Sequence, residues 1–518
     1  MKSIPKSLIA GVVALAAVTG FAGLTAPGDE GVTGAKAAAR LPVERSSLLC
    51  PAPSSSDLAD TTYTSVTPAG KDGAKGGAAE LKPAEALPAD EDATADEDGK
   101  KDGKDSEKDG KKGDGKKATD GKPVVSLKEL GEPVTADTTE ADAPALIGTA
   151  TGAFAPGWAA QQTTTTAAGG ARGLLGVSCT APDTDFWFPG ASTAEDRQDY
   201  VHLTNPDDTA AVADIELYDA DGPLDSDVAE GITVPARSSV PMLLSTLTGE
   251  QAENVTVHVT TRTGRVGAVV SSAEEGVGSD WLPASADPAG TQVLPGIPAD
   301  ATSVRLVAFT PGDDDADVKV QLLGKNATFS PAGNATLHIK SRMTASVDLK
   351  DVTRGEPGSI RLSPVGGGAA PVVAALRVVR GTGAKQEVAF IPATGPVGER
   401  ATVADNRAKG SVLSLTAPGA TAQVKVTSSA GSDAGEPAVK TYTVKGGTTL
   451  EVTPEPPAGL KGGYALTVET ESGGPVHASR MLQVTENGIG MFTVQTLPDD
   501  GGMVEVPRAE QDLSVLDD

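Results

Sequence analysis

The sequence predicts an all-β protein: three tandem immunoglobulin-like β-sandwich domains behind an N-terminal export segment, with one disordered insert. Three observations predict it. The first is a recurring opening of alternating apolar residues: Tyr200-Val-His-Leu-Thr-Asn-Pro, Ser303-Val-Arg-Leu-Val-Ala-Phe-Thr-Pro and Ser411-Val-Leu-Ser-Leu-Thr-Ala-Pro. The second is a recurring apolar-Pro closing at Leu282-Pro283, Ile391-Pro392 and Leu497-Pro498, spaced 109 and 106 residues apart. A period of that length is the size of one sandwich domain, not of one solenoid turn. The third is composition. Aromatics are 3% of the chain, beside 61 Gly and 37 Pro. Val and Thr fill the alternating stretches, so many turns and small aliphatic cores are expected.

Residues 1–39 begin Met1-Lys-Ser-Ile-Pro-Lys6, followed by a 19-residue apolar run from Leu8 to Ala26. A positive start before an apolar run reads as an export signal. The run is also just long enough to span a bilayer. A cleaved signal peptide is expected, with an uncleaved signal anchor as the alternative. Either way the rest of the chain is expected outside the cytoplasm, secreted or on the extracellular face of the envelope. Membrane contact would then be confined to this segment.

Residues 40–287 are expected to form the first sandwich domain. Cys50 and Cys179 are the only cysteines, and an exported chain with two most simply pairs them. Between them, residues 70–121 are dominated by runs such as Asp98-Gly-Lys-Lys-Asp-Gly-Lys-Asp105, and hold no aromatic, Ile or Val. Such a stretch cannot bury enough apolar surface to offset chain entropy and is expected to be disordered. Phe186-Trp-Phe-Pro-Gly190 then introduces the first repeat body. Residues 288–395 and 396–499 are the second and third domains, and 500–518 a loose acidic tail.

Inside each body the same order of strands is expected. An alternating strand follows the opening turn (Val212–Tyr218, Val318–Leu322, Ala422–Val426), with a half-buried, period-two pattern. A Val-x-Ala pair begins a late strand at 266, 373 and 476. In that frame Arg377 and Arg480 stand at equivalent places, as surface or ion-pair positions or as a repeated ligand contact.

Few residues suggest chemistry. Asp313, Asp314 and Asp315 lie in a predicted hairpin of the second body. They are candidate cation ligands, since calcium takes six to eight oxygens, but Asp is also an ordinary turn residue. Trp187 and Trp281, if exposed, are candidate sugar-stacking faces; at domain edges they would instead pack an interdomain contact. His202, His258, His338 and His477 are scattered on strands without metal-ligand spacing. There is no Gly-x-Ser-x-Gly elbow. No cofactor, metal site or enzymatic activity is expected. The net charge of −27 argues against nucleic-acid partners. Asn254, Asn326 and Asn334 match the glycosylation pattern, which matters only in a host that modifies such sites.

The stretch Leu41-Pro-Val-Glu-Arg-Ser-Ser-Leu-Leu-Cys-Pro, the later Cys179 and the Tyr200 opening resemble an uncharacterised, Streptomyces-like family of exported actinobacterial proteins, a domain of unknown function. The resemblance covers about residues 40–500 without the insert. It implies export and a β-rich body, and no activity. The expected role is therefore a non-enzymatic secreted or envelope protein that meets a cell-wall component or an extracellular protein. The alternative is a glycan-binding or carbohydrate-processing accessory protein.

Overall fold

Short runs of β-branched and small residues, broken by Gly and Pro, leave little that favours a helix. The computed structural model describes residues 39–70, 76–85, 121–226, 228–367 and 370–507. The expected signal segment, most of the insert and the end of the acidic tail lie outside these residues. Among the described residues there are only strands and three short 3-10 turns. Two compact units form. In one, Ala39–Pro42 pairs with Met503–Val506. The other spans Pro42–Gly502.

Pro42–Gly502 holds four sandwiches, over Arg45–Ser178, Asp185–Leu282, Gln292–Pro392 and Ala401–Thr496. All four are built alike. Counting strands along the chain, one sheet runs first-sixth-third-fourth and the other fifth-second-seventh-eighth, with every pairing antiparallel. In the third sandwich the fourth strand is split into Thr328–Phe329 and Thr336–Ile339. The fourth adds a ribbon of Ala434–Glu436 with Ala458–Lys461. The connectivity differs from the immunoglobulin order, in which the first two strands share a sheet; here they lie in opposite sheets.

Residues 40–287, expected as one sandwich, hold two. The first was hidden because its inward positions are polar. Its second strand reads Ala59-Asp-Thr-Thr-Tyr-Thr-Ser-Val66 and its seventh Ala159-Ala-Gln-Gln-Thr-Thr-Thr-Thr166. It also closes on Ser178-Cys179 rather than an apolar-Pro pair. The insert is corrected too: Ala79–Pro83 is the third strand of this sandwich, with Leu81 1% exposed. The Lys/Asp/Gly-rich run thus falls between the third and fourth strands. Cys50 and Cys179 are bonded, 129 residues apart, with Cα atoms 4.5 Å apart. The bridge joins the first strand to the residue after the eighth, the two edge strands on one side of the sandwich.

On that side each sandwich meets the next, and in the second and third sandwiches residues of the next one complete the core. The first strand bulges, at Gly190 (φ 104°), Gly296 (φ 89°) and Asp405 (φ 50°) in the last three sandwiches. The Gly296 bulge lies against Ser414 and Ser479 of the fourth sandwich, and Gly190 beside Val307 of the third. Turns repeat the pattern: the Glu85 amide donates to the Arg237 carbonyl, and the Thr344 amide to the Asp219 carbonyl. The eighth strands, Gly173–Ser178, Gly278–Leu282, Glu387–Pro392 and Ile489–Thr496, neighbour one another in cyclic order, the last meeting the first. Four sandwiches thereby form a closed ring, with four edge strands about its centre.

Candidate functional site: the polar junction of the eighth strands

Three of the residues singled out in the sequence, Trp187, Trp281 and Arg377, are used up in joining sandwiches. Trp187 is 7% exposed, stacked 3.6 Å from His258 and 5.4 Å from Phe309 of the third sandwich. Trp281 is 1% exposed and packs with Leu175 and Val177 of the first. Neither indole face is open to a sugar, because each buries its apolar area in a joint. Arg377 reaches across the second joint to Glu274 at 2.5 Å. Arg480 is fully buried inside the fourth sandwich.

Arg377 and Arg480 are not equivalent. Arg480 lies opposite Leu413, a core residue, which makes its counterparts Leu376 and Val270. Arg377 lies opposite Arg305 and Phe390, on the outer face. The true frame is Val266-Gly-Ala268, Val372-Val-Ala374 and Val476-His-Ala478. A slip of one residue exchanges the two faces of a strand.

Asp313, Asp314 and Asp315 do not sit in a hairpin: the second and third strands of the third sandwich, which they connect, lie in opposite sheets, so the three form an inter-sheet loop. Asp315 accepts the Ser341 amide at 2.8 Å, and with Asp317 it faces His338, at 3.5 and 2.9 Å. Among the described residues, no three His, Cys, Asp or Glu side chains are grouped to hold a metal ion.

The densest polar chemistry lies where the eighth strands converge. Asp280 Oδ1 accepts the Gly176 amide of the first sandwich and the Thr493 hydroxyl of the fourth, both at 3.0 Å. Gln495 Nε2 donates to Thr493 at 2.8 Å, and Gln161 Nε2 donates to Gln495 Oε1 at 3.2 Å. Glycine at 176 is required by this approach: a Cβ there would collide with Gln495 Nε2 and the Thr493 side chain. At one end of the junction Arg172 spans three sandwiches. It donates to Glu387 at 2.9 Å, to the Ala384 and Gln386 carbonyls, and to the Val277 carbonyl at 2.7 Å.

Burial governs the charges. It pushes Asp280 well above the usual carboxylate range, against hydrogen bonds that pull it down. It raises Glu387 to about 7, outweighing the Arg172 guanidinium beside it. Asp280 Oδ2 and Glu387 Oε2 have no hydrogen-bond partner. Both residues are almost completely buried. A cavity of about 10 Å³ at the first joint, beside His202, Ser178 and Thr204, has room for about one water. Burial lowers His202 to about 4.

Sequence reading missed Arg172, Asp280, Glu387, Thr493, Gln495 and Gln161. The one signal was a polar residue within an otherwise apolar closing strand, as in Gly278-Ser-Asp-Trp-Leu282.

One family model matches the chain: a family of unknown function, DUF5719, over residues 134–455, more than half of the 518. No curated protein and no solved structure matches.

Proposed function

The chain belongs to the DUF5719 family, and from that premise we propose that it is a non-enzymatic interaction scaffold, secreted or held at the cell envelope. The observation that carries the reading is the inward turn of the strongly shifted side chains. Asp280 and Glu387 lie in joints, where they bond neighbouring sandwiches, and Arg480 lies in the core of the fourth, so all three are turned away from solvent. A catalytic acid or base must reach a substrate atom within hydrogen-bond distance. Export is supported by the basic, then apolar, start of the sequence and by the disulfide, which persists in oxidising compartments. Trp187 and Trp281, the two indoles read as sugar-stacking candidates, are enclosed, which favours the scaffold reading over the glycan-binding alternative. What remains for a partner is a large acidic outer surface of hairpins and edge strands. The partner class we favour is a cell-wall component or an extracellular protein.

Co-sedimentation of residues 40–518 with purified actinobacterial cell-wall sacculi, with and without a calcium chelator, tests the reading. Saturable binding is expected. Loss of binding on chelation would assign the Asp313–Asp315 loop a ligand role. No binding in either condition removes the cell wall as partner.

A further inference from the structure

The four joints share one plan but differ in substance. At the second-to-third joint, Ala375, Val379, Val388 and Phe390 enter the core of the second sandwich, making one continuous apolar cluster. At the third-to-fourth joint, Phe492 and Val494 do the same to the third, with Met481 packed against them. The fourth-to-first joint has no such fusion: the core of the fourth sandwich contains only its own residues. Two small clusters meet there instead. One is Val66 and Ala159 with Ala404 and Ala465; the other is Leu174 with Leu482 and Met491.

The rest of that joint is polar. Across the second, seventh and eighth strands, Val201-Val270-Leu282 in the second sandwich and Leu306-Leu376-Ile391 in the third become Leu413-Arg480-Gln495 in the fourth. A guanidinium and an amide replace two aliphatic side chains. Arg480 Nε and Nη1 have no partner, and its one hydrogen bond, to the Ala404 carbonyl, is 3.4 Å long. Across the joint, Gln161 Oε1 and Thr163 Oγ1 are also unmet. An unmet buried polar group is destabilising because it has given up water without a substitute, and hydration on opening recovers that loss.

The first-to-second joint also keeps a separate apolar cluster, but the chain itself crosses it, and Glu85 and Asp183 pair with Ser238 and Val266 beyond. Among the described residues no chain segment crosses the fourth-to-first joint; it is held by Gln161 on Gln495, 334 residues apart, by the Val43 amide on the Gly502 carbonyl and by Arg400 on the Pro156 carbonyl.

We infer that the ring is gated: it opens between the fourth and first sandwiches while the other three joints stay closed. Opening bares Val66, Leu174, Leu482 and Met491, and hydrates Arg480 and Gln161. This goes beyond the scaffold reading and needs no partner to be identified.

The chain has no free cysteine, so one introduced thiol reports alone. Ala404→Cys reports the fourth-to-first joint, Ala375→Cys the second-to-third and Ser479→Cys the third-to-fourth; each native residue is 1% exposed. In native buffer, the thiol at 404 is expected to react with a small thiol reagent at least tenfold faster than those at 375 and 479. Equal or slower reaction overturns the proposal. Ala465→Cys, in the same cluster as Ala404, replaces the first reporter should that variant not fold. Adding Arg480→Leu, the residue found at 376, is expected to slow labelling at 404 several-fold. Unchanged or faster labelling in that double variant counts against the polar joint as the gate.

Discussion

Single residues at the junction are placed where water would be cheaper, and their titration records it. Glu387 is held near 7 by burial, above the ordinary carboxylate value of 4.5. A raised carboxylate favours the neutral form in the folded state. Its stabilising contribution is therefore complete below about 4.5 and is lost as pH rises through about 7. The melting temperature of the native protein is expected to fall between pH 5 and pH 8 relative to that of Glu387→Gln, measured by thermal denaturation across that range. A parallel pair of profiles would show that Arg172 fully offsets burial. Arg480 has the opposite sign: burial pushes its guanidinium down to about 10. Replacement by Leu is expected to raise the denaturant midpoint, because an uncompensated buried charge is exchanged for the residue type found at 376. None of these roles was legible in the sequence. A lone Asp or Arg in a strand looks the same whether it faces solvent or three neighbouring sandwiches.

At the scale of elements, the sequence was far more informative. Period-two alternation located the strands of the last three sandwiches, since each has one aliphatic face and one polar face. It failed where the two faces stopped differing. The strand Ala159–Thr166 carries Gln and Thr on both faces, so nothing marked it as core. Val372-Val373-Ala374-Ala375 allowed two frames, and only the cross-strand partners decide between them. The pair Leu497-Pro498 sits two residues later in its strand than Ile391-Pro392 does, and a slip of two keeps the face, so Leu497 still points into its core. Bulges carry a sharper requirement. At Gly296 a Cβ would collide with Ser479 Oγ, at a φ of 89° that side chains rarely adopt. Gly296→Ala is expected to cost about 2–4 kcal/mol, from left-handed strain and overpacking together. Chemical denaturation checks it; a change below about 1 kcal/mol would mean that the joint yields.

The whole molecule depends on closing a ring from four units of one design. That design was read three times in the sequence and exists four times, because the second and seventh strands of the first copy are rich in Thr and Gln. The chain-entropy account of a 129-residue separation gives about 5 kcal/mol for that bridge. Cys50→Ser with Cys179→Ser is expected to lower stability by a comparable amount, read from the denaturant midpoint together with a slope that rises as the freed chain expands on unfolding. A small loss would mean that the neighbouring sandwiches already hold the two edge strands together. The closing contact of the ring has a different consequence. The Val43 amide donates to the Gly502 carbonyl at 3.1 Å, so the path of the backbone returns to where it entered. The fold is in this sense a circle with an arbitrary start. A short linker joining residue 502 to residue 43, with new ends cut between Pro283 and Gln292, would leave every sandwich intact and turn the gate into a covalent hinge.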